Sequence, residues 1–248
     1  MEVQTTQQPL RLVDSTPPRG RGGNGRAPSI ADQVFGTLRS AIVTMRLKPG
    51  EALSEQEIAG RLNVSRQPVR EAFIKLSEDG LVDVKPQRGT FVMRISAEAV
   101  TNARFVREAV ECAIAREAAQ RVVTADVSML KGLIAEQRKA AKADDAESFF
   151  VLDEEFHRGL AAASGCIYAW KVIESAKAQM DRVRFLSLPE ATPMKRLIVQ
   201  HQRILDGVAA RDGDAAASAM QAHLREILSS LPRLAVKYPA MFDAAQDS

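Results

Sequence analysis

The stretch Asn63-Val64-Ser65-Arg66-Gln67-Pro68-Val69-Arg70-Glu71-Ala72-Phe73-Ile74-Lys75-Leu76 decides how the first third of the chain folds. Ser65 is suited to cap a helix, and Pro68 is tolerated in its first turn. Val69, Phe73 (or Ala72) and Leu76 recur at helical spacing and face inward. Upstream, Ser54-Glu55-Gln56-Glu57 reads as a capping box, and Ile58 and Leu62 supply that helix's apolar face. The helix stops at Asn63-Val64, where Asn tolerates a left-handed turn. Further upstream, Val34, Leu38, Ile42 and Met45 mark a helix from about Ser29 that ends at Lys48-Pro49-Gly50. Downstream, Gly80 closes the third helix as a C′ residue. Strands over Leu81–Lys85 and Thr90–Arg94 follow, joined by the turn Pro86-Gln87-Arg88-Gly89.

Helix, helix, tight turn, helix and β-hairpin make a winged helix-turn-helix. Residues at the start of a recognition helix meet base edges in the major groove. Arg66 and Arg70 are four apart and project from one face. Arginine suits a bidentate contact to guanine, and Gln67 can pair with adenine. The wing offers Lys85 and Arg88, and Gly89 allows close backbone approach. A solvated charged helix is the plainer reading of such a spacing. Its position after a turn, between a capped helix and a hairpin, favours DNA. Charge agrees: residues 1–95 carry 14 Lys/Arg against 10 Asp/Glu, and the remainder is slightly acidic. Residues 1–27, rich in Gly, Pro, Gln and Thr, read as a disordered basic tail. Its Arg19-Gly20-Arg21 could enter a minor groove or remain a solvated segment.

Residues 96–232 read as six helices near 97–122, 126–142, 145–163, 166–187, 194–211 and 213–231, with short breaks. Such a run describes an antiparallel helical bundle. The fold class is therefore mainly α, a winged helix-turn-helix over 28–95 followed by the bundle, with a C-terminal tail at 233–248. A hydrophobic content of 46% in 248 residues suits a globular protein. No run approaches a membrane span, and the N-terminus lacks the apolar core of a secretory signal. Cys112 and Cys166 show no pairing pattern, which fits a reducing cytoplasm.

The three histidines all lie in the bundle, at 157, 201 and 223. Asp153 and His157 are four apart on one helix face, as two ligands of one metal would be. His201 and His223 lie mid-helix on two further helices, and inward residues of facing helices can converge. One carboxylate and three imidazoles would bind a divalent transition metal and leave positions open. Each histidine alone could equally be an ordinary hydrogen-bonded residue. Zinc is the first expectation for the ion, with nickel or manganese also compatible.

The segments Leu47–Ala59, Asn63–Ala72, Glu78–Val82 and Arg88–Val92 resemble the DNA-binding domain of the GntR family over about residues 30–94. The resemblance implies a bacterial transcription factor that binds a palindromic operator as a homodimer. By it, Ser65, Arg66, Gln67, Arg70, Arg88 and Gly89 would contact DNA. Gln56 stands where some relatives carry a basic DNA-contacting residue. Val106–Glu111, Asp153–Leu160, Ala163–Gly165, Gln200–Leu205 and Ala222–Leu224 resemble the FCD effector-binding domain of the FadR subfamily. Six helices suggest its VanR-like branch. In metal-binding members the ligands occupy the positions of Asp153, His157, His201 and His223. Cys166 departs from the Asn that many relatives carry after the Ser-Gly at 164–165.

Open metal positions suit a small organic acid. Arg107 could pair with that acid, or with Glu111 one turn on. Arg104 is a second candidate. Three functions follow. The first is a regulator, a repressor by analogy, controlled by a carboxylate effector at the metal. The second is a metal-responsive regulator in which the ion is the signal. The third is a metalloenzyme, for which no nucleophile motif or phosphate loop appears, so no enzymatic activity is expected.

Overall fold

Ser29 opens the first helix, α1 (Ile30–Val43), with a reciprocal cap: its hydroxyl accepts from Asp32 N–H, and the Asp32 carboxylate accepts from Ser29 N–H. The computed structural model describes residues 10–12, 28–189 and 192–243. They divide into two compact units, residues 1–94 and 95–248.

In the first unit α1 packs on α3 (Arg66–Glu78), and α2 (Glu55–Leu62) joins it through a tight turn. Asn63 takes the left-handed conformation that ends α2 (φ 53°). Ser54 accepts from Glu57 N–H, but the reciprocal half of the expected capping box is missing, and the Glu57 carboxylate lies 3.6 Å from Arg61. Ser65 occupies the N-cap of α3 without a side-chain cap hydrogen bond. The wing is β2 (Val82–Lys85) antiparallel to β3 (Gly89–Val92), with Val84 opposite Thr90. A two-residue strand the periodicity did not signal, β1 (Ala52–Leu53), pairs on the other edge of β3. Leu38, Ile42, Leu76 and Leu81 are fully buried at the centre. Most of the expected tail lies outside the described residues. Leu10 is the exception: this apolar residue is buried, and the neighbouring Arg11 carbonyl accepts from Thr37 Oγ1.

The second unit is a bundle of α4 (Ala97–Arg121), α5 (Thr124–Lys142), α6 (Ala146–Ala163), α7 (Ile167–Ala176), α8 (Ala178–Ser187), α9 (Met194–Ala209) and α10 (Gly213–Lys237). Among the described residues it has seven α-helices rather than six. The expected fourth helix breaks at Lys177, with no Pro or Gly to announce it. Lys177 is buried there, its ammonium held by Glu154 and Asp181. The helix count on which the six-helix branch rested is thus altered by one break, at a buried lysine. The C-terminal segment is also less loose than expected. α10 continues through Pro232, because Ile227, Leu231 and Leu234 keep its apolar face buried. Phe242 then buries itself beside Ile95, whose N–H donates to Met241 O.

α9 and α10 carry two of the histidines and approach closely at Gly207. A Cβ there would lie 2.7 Å from the Ala216 backbone nitrogen. Gly207→Ala gains helix propensity but forces the two backbones apart, a net cost of about 1–2 kcal/mol. The midpoint of thermal unfolding should fall by roughly 2–8 °C. An unchanged midpoint would show that the contact is loose.

Candidate functional site

The bundle interior holds the first candidate site. Asp153 and His157 descend one face of α6, His201 comes from α9 and His223 from α10, and all four are buried. One ligand atom from each lies within 4.8 Å of the others. His157 Nε2 and His223 Nε2 are 3.2 Å apart, and His201 Nε2 is 3.3 Å from Asp153 Oδ1.

The outer nitrogens explain this arrangement. Gln137 Nε2 donates to the Leu152 carbonyl, so its Oε1 is turned to His201 Nδ1 at 2.9 Å. Gln200 Nε2 donates to Glu226, so its Oε1 meets His223 Nδ1 at 2.9 Å. An amide oxygen only accepts, so both imidazoles carry the proton on Nδ1 and present the Nε2 lone pair inward. Glu111 Oε2 lies 2.5 Å from His157 Nδ1, an ion-pair distance on the outer side of the third ring. Burial depresses the basicity of His201 to about 3 and that of His223 well below the usual imidazole range. Both rings are therefore neutral near pH 7. His201 Nε2 is buried with no hydrogen-bond partner. Inward lone pairs, a carboxylate and an orphaned nitrogen are what a divalent cation needs, with outer partners that orient the ligands.

A belt of charge surrounds the cluster. Arg184 on α8 reaches Asp153, Glu154 and Asp181. Burial favours the neutral forms of Asp153 and Glu154. Arg184 with His201 and His157 outweighs it at Asp153, as Lys177 and Arg184 with Arg107 do at Glu154, and both carboxyls stay below the usual range. Burial likewise opposes ionisation of Glu111, but Arg107 and His157 bring it down to about 2.

A small cavity of about 40 Å³ opens beside the cluster. Asp153, His223, Arg107 and Arg184 line it, with an apolar wall that includes Phe149, Leu197 and Ile227. Of the two partners expected for Arg107, the structure shows Glu111: its Nε donates to Glu111, while its Nη2 has no partner. Arg104 is not brought to the cavity. It pairs with Glu108, which also binds Arg225 and Gln221. The sequence reading missed Arg184, Gln137 and Gln200. Gln200 directly precedes His201, but nothing in the spacing singled out the other two. Cys166 is exposed.

The second candidate site is in the first unit. Ser65, Arg66, Gln67, Arg70, Lys85, Arg88 and Gly89 are all exposed. Gly89 has φ 105°, a backbone conformation that L side chains rarely adopt, at the tip of the wing. Glu55, at the start of α2, binds Arg66 Nη2 at 2.9 Å and Arg70 Nε at 3.0 Å. The Arg70 hydrogen bond holds the Glu55 carboxyl below its usual range despite partial burial. Gln67 donates to Glu71.

Residues 30–92 match the family described as bacterial regulatory proteins, gntR family, and residues 103–226 match the FCD domain. The uncharacterized HTH-type transcriptional regulator YdfH of Escherichia coli O6:H1 is 43% identical, over 84% of this chain and 91% of its own. The HTH-type transcriptional repressor RspR of Escherichia coli K12 is 43% identical over 83% of this chain and 90% of its own. Among solved structures, E. coli McbR/YncC superposes with a TM-score of 0.74 at 20% identity, covering 84% of this chain and 99% of that one. A GntR regulator from Rhodococcus sp. RHA1 gives 0.70 at 28% identity, over 83% of this chain and 99% of that one.

Proposed function

The chain belongs to the gntR family of bacterial regulatory proteins and carries an FCD domain, and from that premise we propose that it is a repressor released by a small carboxylate bound beside a divalent metal. The family's activity is DNA-binding transcriptional regulation, not catalysis. The single observation that carries the finer reading is the shared cavity: Asp153 and His223 of the Asp/His₃ cluster line it together with Arg107 and Arg184. Asp153 and the Nε2 atoms of His157, His201 and His223 hold the ion, zinc in the first instance and nickel or manganese as alternatives. The ion's open positions accept a carboxylate oxygen as a Lewis acid would. Arg107 Nη2 supplies the charge-assisted hydrogen bond to the same group.

The repressor assignment follows the relative RspR. A homodimer on a palindromic operator is the arrangement that two recognition helices read. Ser65, Arg66, Gln67, Arg70, Lys85, Arg88 and Gly89 form its contact surface, and its place of action is the cytoplasm. No helix of the described residues is long and apolar enough to cross a membrane. The effector favours one arrangement of the recognition helices, for which a coupling of about 1–3 kcal/mol suffices.

Thermal unfolding against a panel of organic acids, before and after chelation with EDTA, tests this reading. An acid at 100 times its Kd adds about 2.7 kcal/mol. That is a rise of roughly 5–11 °C for a chain of this size. The expected result is a rise from one class of acid that chelation abolishes, with matching release of DNA in gel shifts. DNA binding that follows metal loading with no acid present would make the ion itself the signal.

A further inference from the structure

Two buried polar atoms on residues that line the cavity are unclaimed, and they differ in kind. Arg107, 1% exposed, leaves Nη2 without a partner, and Thr192, 3% exposed, leaves Oγ1 without one. The other polar groups of the lining are engaged. Ser187 Oγ donates to the Arg184 carbonyl, Glu226 is held by Arg196 and Gln200, and Arg184 holds Asp153. Thr192 is fixed by its backbone N–H, which donates to Ser187 O at 2.9 Å. Buried polar groups are paired unless a ligand or water pairs them. A guanidinium asks for an anion, whereas a threonine hydroxyl, which both donates and accepts and brings no charge, is satisfied by an uncharged oxygen.

The buried charges fix how much anion the site tolerates. The connected network holds three cations, Arg107, Lys177 and Arg184, and four carboxylates, Glu111, Asp153, Glu154 and Asp181. Arg182, buried on the same helix, faces the charge of Asp243 and lies outside this network. The network sums to −1. A divalent ion among neutral imidazoles brings it to +1, and one monoanion brings it to zero. A dianion would leave an uncompensated buried charge, which is costly.

Resting on the proposed effector reading, we infer that the cavity selects a monoanionic carboxylate bearing an uncharged oxygen function, a hydroxyl or oxo group, that Thr192 recognises. A plain aliphatic acid leaves Thr192 unpaired, and a dicarboxylate overcharges the site. Thr192 is thus a specificity-determining residue of the effector pocket, on the turn between α8 and α9.

Titration calorimetry on the zinc-loaded full chain tests this with butanoate, its 2-, 3- and 4-hydroxy derivatives, and succinate, on wild type and Thr192→Val. The expected result is that one hydroxy acid binds about tenfold tighter than butanoate, the worth of one buried hydrogen bond. Thr192→Val should erase that advantage, and an unchanged circular dichroism spectrum with retained DNA binding in gel shifts shows that the variant is folded. Succinate should bind about 100-fold more weakly than butanoate. Butanoate binding with no hydroxyl advantage, an advantage that survives Thr192→Val (chelation of the metal by the hydroxyl), or succinate binding as tightly as butanoate each overturns the inference while leaving the effector reading intact. Binding of none of these acids overturns both.

Discussion

Arg184→Leu is expected to lower the stability of the metal-free protein by about 3–5 kcal/mol at pH 7, measured by urea unfolding. The change removes the guanidinium from the buried Asp153 and Asp181 and the partly buried Glu154, of which only the last two keep a partner in Lys177. The loss should depend on pH with a definite sign. Burial works against ionised Asp153 and Glu154, and their folded values stay depressed because Arg184 with His201 and His157 opposes it at Asp153, and Lys177 and Arg184 with Arg107 at Glu154. A depressed carboxyl contributes stability above its unfolded value, near 4, and loses it as pH falls through the folded one. The gap between wild type and variant should therefore be full at pH 7 and shrink below about pH 4, where the stranded groups take up protons. Zinc should also narrow it, by giving Asp153 another cation. A gap that persists unchanged at pH 3 would mean that Arg184 acts through packing. Arg184→Lys should recover part of the loss, since a single ammonium cannot span three carboxylates as a guanidinium does.

This belt marks the limit of what the sequence discloses. The winged unit was legible because its information is local: a four-residue turn at Asn63, a period of three to four along α1 and α3, and a Gly at the wing. The candidate metal ligands were half legible. Asp153 and His157 share a helix, so their spacing is a geometric statement. His201 and His223 could be joined to them only by the expectation that mid-helix residues meet at one depth. Gln137 and Arg184 were not legible, because polar residues on amphipathic helices are common and only the packed bundle tells an inward Gln from an outward one. The break at Lys177 was hidden for a related reason: no proline or glycine marks it, and the residue at the junction is a lysine whose burial only the packed bundle reveals. Arg104 and Arg107 show how fine the distinction is. They are three apart on α4, yet one joins a half-exposed cluster with Glu108 and the other enters the cavity.

The second large effect belongs to the recognition helix. Arg66→Ala with Arg70→Ala should weaken binding to an operator selected from random duplexes by about 10²–10⁴-fold, since each bidentate base contact is worth about 1–3 kcal/mol. Binding to calf-thymus DNA should fall much less, because phosphate contacts from the wing remain. Equal losses on both DNAs would demote the two arginines to phosphate contacts. Glu55 makes this prediction sharper. In the free protein it holds both guanidinium groups at about hydrogen-bond distance, so they are preorganised but partly neutralised. A nonspecific phosphate must compete with that carboxylate for a single ionic contact, whereas a guanine edge can engage the remaining N–H groups while Glu55 stays in place. Glu55→Gln should then raise affinity for calf-thymus DNA severalfold and the operator affinity by less, narrowing the specificity ratio. That ratio, measured on the wild type and both variants at one salt concentration, separates an arginine aimed by its neighbour from one that merely carries charge.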